Sequence, residues 1–180
     1  AIAACLVAWP WLVLQNRRWL HALWLIIPTA LMGLTPVAPF RDLFQPIDQA
    51  WLADVRGFTG QLFLTTWNAA DFNVLAFDAF LLIYAWRTLS PQFGAWCLSA
   101  LVGLALGLTA NLILVDWLHL TLPAALQLWR AHWLAHLIAM ASVAAILYRD
   151  IKNHEPSRAL CLGLALVLVQ EANWLWILFA

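Results

Sequence analysis

Apolar stretches long enough to cross a bilayer follow one another along the whole sequence. A helix needs about 20 such residues to cross roughly 30 Å of hydrocarbon. The composition agrees with this pattern, since 65% of the 180 residues are hydrophobic and 10% are charged, whereas soluble domains carry about 25% charged residues. The chain is therefore predicted to be an integral membrane protein.

Six stretches have the length and hydrophobicity, or nearly so, of membrane spans. Helix is the practical element for them, because lipid offers no partner for backbone polar groups and none of the stretches alternates as a barrel strand does. We expect an all-α, polytopic bundle of about six transmembrane helices, in a single integral-membrane domain that covers residues 1–180. The predicted spans are residues 1–14, 19–37, 60–86, 95–115, 131–148 and 159–180.

Segment 44–57 has a different pattern from the spans. Its apolar residues Phe44, Ile47, Trp51 and Val55 recur at helical spacing, and its polar residues take the other faces. This pattern predicts an interfacial amphipathic helix in an outer loop, either as a connector that caps the bundle or as a lid over a substrate.

The distribution of Lys and Arg predicts the orientation, because basic residues near span ends stay on the cytoplasmic side. One set of connections is richer in them than the other. We therefore expect an inner- or plasma-membrane protein with loops 38–59 and 116–130 outside. The positions expected in the cytoplasm are Arg17, Arg18, Arg87 and the 149–158 loop.

Charge and motifs exclude several classes of function. Nine basic and nine acidic residues cancel, so the chain lacks the positive field of a nucleic-acid-binding protein. No P-loop or GxGxxG motif supports nucleotide binding, and no GxSxG or HExxH motif supports serine or zincin hydrolysis.

Most of the 13 tryptophans lie near predicted span ends, where the indole ring anchors at the interface. Trp67, Trp174 and Trp176 lie deeper and need a partner for the indole N–H.

Polar side chains inside the predicted spans mark the candidate site, since an ionisable group at bilayer depth costs about 3 kcal/mol on insertion scales. Asn68, Asp71 and Asp78 fall on one stripe of the third span at 100° per residue. Groups from three further spans are expected at similar depth in the outer half. The predicted intramembrane polar site is Asn68, Asp71, Asp78, Asn111, His136, Glu171 and Asn173.

Several chemistries fit these residues. His132 and His136 lie one turn apart, so with a carboxylate they match the ligands of a zinc or iron site, or each could ligate a haem or chlorin. The absence of a CxxCH motif excludes a covalently attached haem. A proton or ion path through Asp71, His136 and Glu171 is a further alternative. A purely structural alternative pairs these groups as interhelical hydrogen bonds, for example Asp71 with His136.

From Phe44 to Trp174 the order of parts resembles the membrane phosphatases of the phosphatidic-acid-phosphatase type. The shared layout is an outer interfacial helix, a long span, a short cytoplasmic turn, an outer loop, a span that opens with histidine, and a basic cytoplasmic loop. The motifs differ, because the loop reads DWLHLTLPAALQLWR, the span opens with HWLAH and the later region reads VQEANW. His136 matches a family residue but lacks the preceding Pro-Ser-Gly, and the cationic residues that would hold a phosphate are missing.

The sequence predicts a subunit of a membrane complex or a small transporter that handles a proton, ion, lipid or bound cofactor. Its expected partners are the lipid bilayer and other membrane subunits or a second copy of the chain. The alternative is a membrane enzyme that acts on a lipid or prenyl-phosphate at the outer leaflet. In that case His136 is the acid/base, and Asp71 or Glu171 orients it.

Overall fold

The structure is all-helical in the residues that it describes. It is a computed structural model, and it describes residues 2–16, 27–28, 31, 34–35, 37, 40–42 and 44–179. Within this part of the chain, the single β feature is an isolated antiparallel bridge between Pro46 and Leu120. The α-helices are α1 (Ile2–Asn16), α2 (Gln49–Phe58), α3 (Ala69–Thr88), α4 (Pro91–Asn111), α5 (Thr121–Leu126), α6 (Ala131–Lys152) and α7 (Pro156–Gln170).

Three segments of the described chain are long and apolar enough to cross a membrane, which is compatible with an integral membrane protein. The first is α3, and the second joins α4 to a π-helical turn, Leu112–Trp117. The third joins α5 to α6 through a 3-10 turn, Leu128–Arg130. Helix α7 is also apolar but has 15 residues, which span about 22 Å at 1.5 Å per residue.

Helix α6 separates small from large apolar side chains. Ala135 and Ala139, one turn apart, are fully buried. Trp133, Leu137 and Tyr148 are 55%, 64% and 70% exposed. Close packing favours small residues on the buried face, whereas a run of large exposed apolar side chains is unfavourable in water and suits a lipid environment.

The chain divides into two compact units by its internal contacts. The first unit consists of Ala1–Trp67 and Val102–His132, and the second of Asn68–Leu101 and Trp133–Ala180. Helices α4 and α6 therefore contribute residues to both units.

The first unit has an apolar core around helix α2. Leu52 of α2 is buried in a cluster with Phe63 and Val115. Two backbone hydrogen bonds join the segment before α2 to the segment before α5: the Ile47 N–H donates to the His119 carbonyl at 2.6 Å, and the Thr121 N–H donates to the Gln45 carbonyl at 2.9 Å. These bonds hold two segments that are distant in sequence against one core.

In the second unit, a close approach follows the turn between α3 and α4. The Gly94 N–H donates to the Ser90 carbonyl at 2.8 Å. A Cβ atom at position 94 would lie 2.9 Å from the backbone carbonyl oxygen of Trp86. Any side chain at this position would therefore push α4 away from the end of α3, and glycine is required there.

The helix boundaries correct two of the predicted spans. The span predicted at 60–86 begins at Ala69, because residues 60–66 form two 3-10 turns and Asn68 caps the helix. The span predicted at 159–180 is interrupted, because α7 ends at Gln170 and a separate 3-10 helix, Trp174–Phe179, follows. Between them Ala172 has a φ of 53°, which an α-helix does not allow.

Helices also lie in the regions of the other predicted elements that the structure describes. The helix predicted at 44–57 overlaps α2 (Gln49–Phe58), and the stretch predicted at 1–14 overlaps α1. The spans predicted at 95–115 and 131–148 correspond to α4 with its π turn and to α6. The span predicted at 19–37 lies largely outside the described residues.

Candidate functional site

The second unit contains an aspartate–histidine pair in helices α3 and α6. His136 Nδ1 lies 2.9 Å and 3.0 Å from the two carboxylate oxygens of Asp78. With the Asp78 carboxylate ionised, its oxygens only accept hydrogen bonds, and Nδ1–H of His136 is the donor. Asp78 lies about 14 Å along the axis from the start of the 20-residue helix α3, which is near the middle of a predicted membrane span.

The two members of the pair differ in exposure. The Asp78 side chain is 0% exposed, whereas that of His136 is 42% exposed. A buried carboxylate is costly unless it is paired, and the imidazole supplies that partner.

A second polar contact lies nearby along α3. The Trp176 indole Nε1 donates to the Asn73 side-chain oxygen at 2.6 Å, and both residues are buried. The Trp176 ring packs edge-on against Phe77, with 5.1 Å between ring centroids. The Asn73 Nδ2 atom is buried without a hydrogen-bond partner among the described residues. Helix α3 thus carries polar side chains on two faces.

Asn73 is not among the residues predicted for the site, because it lies off the helical stripe of Asn68, Asp71 and Asp78. Its signal was nevertheless present, since an asparagine in an apolar span requires a partner. The deep tryptophan Trp176, predicted to need an acceptor for its N–H, is that partner.

Asn68 and Asp71 do not take part in the Asp78–His136 pair but form the N-terminal cap of α3. The Asn68 side chain accepts from the backbone N–H groups of Ala70 and Asp71 at 2.7 Å and 3.1 Å. The Asp71 carboxylate accepts from the Asn68 N–H at 2.9 Å. This reciprocal arrangement is a capping box. The pairing suggested for Asp71 with His136 is therefore wrong, because Asp71 is engaged at the helix start and Asp78 is the partner.

Glu171 and Asn173 also belong to a helix end. Glu171 is the exposed residue that ends α7. The Asn173 side chain accepts from the Leu175 N–H at 2.9 Å and so begins the following 3-10 helix. Neither side chain has a described bond to Asp78 or His136, and the predicted orienting role of Glu171 has no support in these contacts.

Asn111 lies in the first unit, beside a second buried carboxylate. Its Nδ2 donates to the Leu62 carbonyl at 2.9 Å and lies 3.4 Å from the carboxylate of Asp116. Asp116 also accepts from the Leu64 N–H at 3.2 Å, the Thr65 N–H at 3.0 Å and the Thr65 hydroxyl at 2.7 Å. All of these donors are neutral. Asp116 therefore orders the turns of residues 60–66.

The histidines predicted as metal or haem ligands have separate partners. His136 contacts Asp78, whereas the His132 ring packs near Trp67 with 5.8 Å between centroids. Across the described ranges, no group of three or more His, Cys, Asp or Glu side chains is placed to hold a metal ion.

Comparisons with protein-family models, with curated proteins and with solved structures find no match to this chain.

Proposed function

We propose that the chain is an integral membrane protein, either a small transporter or a subunit of a membrane complex, in which Asp78 and His136 bind and release a proton. The observation that carries the proposal is the contact of a fully buried carboxylate with a half-exposed imidazole near the middle of an apolar helix. Ionisable residues at such depth typically serve proton or ion pathways.

The proposal includes the topology expected from the sequence. The three segments that qualify as spans would be part of a bundle of about six, with α1, the 19–37 segment and the region after residue 156 completing it. The basic ends of α3 and α6 would face the cytoplasm, because Arg87, Arg149 and Lys152 lie in their last turns. Helix α2, with Trp51 exposed, would lie on the outer leaflet.

The proposed exchange uses two protonation states of the pair. With the imidazole neutral, Nδ1–H donates to the Asp78 carboxylate and the pair carries one negative charge. Uptake of a proton from the exposed side of His136 gives an imidazolium–carboxylate pair without net charge, which an apolar environment tolerates better. A change in the surroundings of either side chain would then favour uptake or release.

Proton flux into liposomes tests this proposal. The purified chain would be reconstituted with a pH-sensitive dye inside the vesicles, and an imposed pH gradient would drive flux. We expect Asp78→Asn and His136→Gln each to reduce the flux at least tenfold, because neither replacement can exchange the proton. Asp54→Asn is the matched control, since Asp54 is an exposed carboxylate of α2. Flux that survives both site substitutions, or that equals flux in empty vesicles, contradicts the proposal.

The same contact favours a second candidate, a membrane enzyme that acts on a lipid or prenyl-phosphate. A histidine held by a carboxylate through Nδ1 has the orientation of a general acid/base. This candidate predicts that the chain in detergent releases phosphate from phosphatidic acid without any gradient, and that Asp78→Asn lowers the turnover. Flux without turnover favours the transporter, and turnover without flux favours the enzyme.

A further inference from the structure

The second unit contains a cavity of about 530 Å³ lined by α3, α6, α7 and Phe179. A volume of this size is typical of small-molecule sites, which range over about 300–1,000 Å³. Neither Asp78 nor His136 lines the cavity. It therefore calls for an explanation of its own, independent of the proposed proton exchange.

The lining of the cavity changes from apolar to polar along its helices. On α3, the lining residues at successive turns are Phe80, Tyr84 and Thr88. On α7, the apolar lining residues Ala165 and Leu162 come later in the helix, and the polar ones, Ser157 and Arg158, lie in its first turn. The described contacts place the end of α3 beside the end of α6, because Arg149 donates to the Thr88 carbonyl at 3.2 Å and to the Tyr84 hydroxyl at 3.2 Å. A cavity with an apolar and a polar end fits an amphiphile.

The charges at the polar end favour a phosphate group. The Asp150 carboxylate is already matched by Arg149, at 2.6 Å and 2.8 Å. Arg158 pairs with Glu155, but both side chains are well exposed, and exposed pairs contribute little to stability. The first turn of α7 has no acidic residue, and the N-terminus of a helix favours an anion. Arg158 can therefore exchange Glu155 for a phosphate, with which a guanidinium makes paired hydrogen bonds.

We propose that this cavity binds one phospholipid molecule, with its phosphate at Ser157 and Arg158 and an acyl chain beside Phe80, Leu162 and Phe179. The basic last turns of α3 and α6, which contain Arg87 and Arg149, lie at the depth where a span meets the headgroups. The lipid phosphate and the polar end of the cavity are thus at matching depth. The apolar end excludes a free inorganic anion as the main occupant.

Cys161 provides a reporter inside the cavity. It lines the cavity and is half-buried, whereas Cys5 is exposed elsewhere in the chain. The full chain, purified in detergent and stripped of lipid, would be alkylated with a maleimide, and site-resolved mass spectrometry would give the rate at each thiol. Dioleoylphosphatidylethanolamine, dioleoylglycerol and inorganic phosphate would be titrated in turn. We expect the phospholipid alone to slow alkylation of Cys161, about tenfold at saturation, and to leave Cys5 unaffected.

Arg158→Gln tests the phosphate contact, with Lys152→Gln as the matched control, because Lys152 is an exposed cation of α6 that does not line the cavity. We expect Arg158→Gln to weaken phospholipid binding about tenfold, as the loss of a charge-assisted hydrogen bond does, and Lys152→Gln to stay within about twofold of wild type. Both side chains are exposed, so both variants should fold. The proposal is overturned if dioleoylglycerol or phosphate protects Cys161 as well as the phospholipid does, or if nothing protects it. It is also overturned if the two variants bind the phospholipid equally.

Discussion

Asp116 in the first unit and Asp78 in the second are both buried carboxylates, but the hydrogen-bond donors around them differ in kind. Asp116 accepts from two backbone N–H groups, a hydroxyl and an amide. None of these groups gains or loses a proton in the physiological range. Asp78 instead accepts from the imidazole of His136, a type of side chain that can bind a second proton.

This difference separates a carboxylate held by fixed donors from one for which we propose a role in proton exchange. Fixed neutral donors stabilise a permanent anion and, in return, order the backbone that carries them, here the turns around Leu64 and Thr65. An imidazole can donate to the anion in either of its two protonation states, and the His136 side chain is 42% exposed while that of Asp78 is buried. Burial alone therefore does not distinguish the two carboxylates in this chain, whereas the type of donor does.

The largest expected effect is on the stability of the first unit. Asp116→Ala leaves the N–H groups of Leu64 and Thr65 and the Thr65 hydroxyl without their acceptor, and we expect a loss of about 3 kcal/mol in unfolding free energy. Denaturant unfolding in detergent micelles, followed by far-UV circular dichroism, measures it. Asp48→Ala is the control, because the exposed Asp48 makes no side-chain bond to α2. A loss no larger than in this control would mean that Asp116 does not anchor the turns.

A smaller loss of unfolding free energy is expected when the partner of Asp78 is removed. His136→Ala leaves the Asp78 charge buried without its imidazole, and we expect a loss of about 2 kcal/mol in unfolding free energy. This is below the roughly 3–5 kcal/mol for a fully buried pair, because His136 is partly exposed. Asp78→Asn in the His136→Ala background removes the buried charge and should recover about 1 kcal/mol.

The double-mutant cycle decides between the two kinds of carboxylate. Strictly additive losses in unfolding free energy would show that Asp78 and His136 are not coupled. Asp78 would then resemble Asp116, and the comparison between the two units would fail.

The sequence predicted the helical class because it follows from composition, and composition does not depend on how the chain packs. It also named Asp78 and His136 as candidates, since ionisable residues in apolar spans stand out. It did not predict which aspartate pairs with His136, because Asp71 and Asp78 lie on the same stripe of α3. The choice depends on the axial register of α3 against α6, which long-range packing sets.

The ends of the helices were predicted less well than their existence. The turn after Gln170 contains no glycine or proline, although Ala172 adopts a left-handed conformation there, so the usual signal for a helix end is missing. At the start of α3, by contrast, the signal was present. Asn68 followed three residues later by Asp71 has the spacing of a capping box, but in an apolar context both side chains were interpreted as part of an intramembrane site.

The smallest expected effect tests this reassignment of Asn68. Asn68→Ala removes the acceptor for the Ala70 and Asp71 N–H groups, and we expect a loss of about 1 kcal/mol in unfolding free energy. Asn68→Ser should recover most of it, because serine also caps helices well. Asn153→Ala, at an exposed turn, should have no measurable effect. Proton flux per folded protein should stay at the wild-type level in Asn68→Ala, since a cap holds the helix start and carries no proton. A flux that falls as far as in Asp78→Asn would instead place Asn68 in the exchanging site and extend that site to the start of α3.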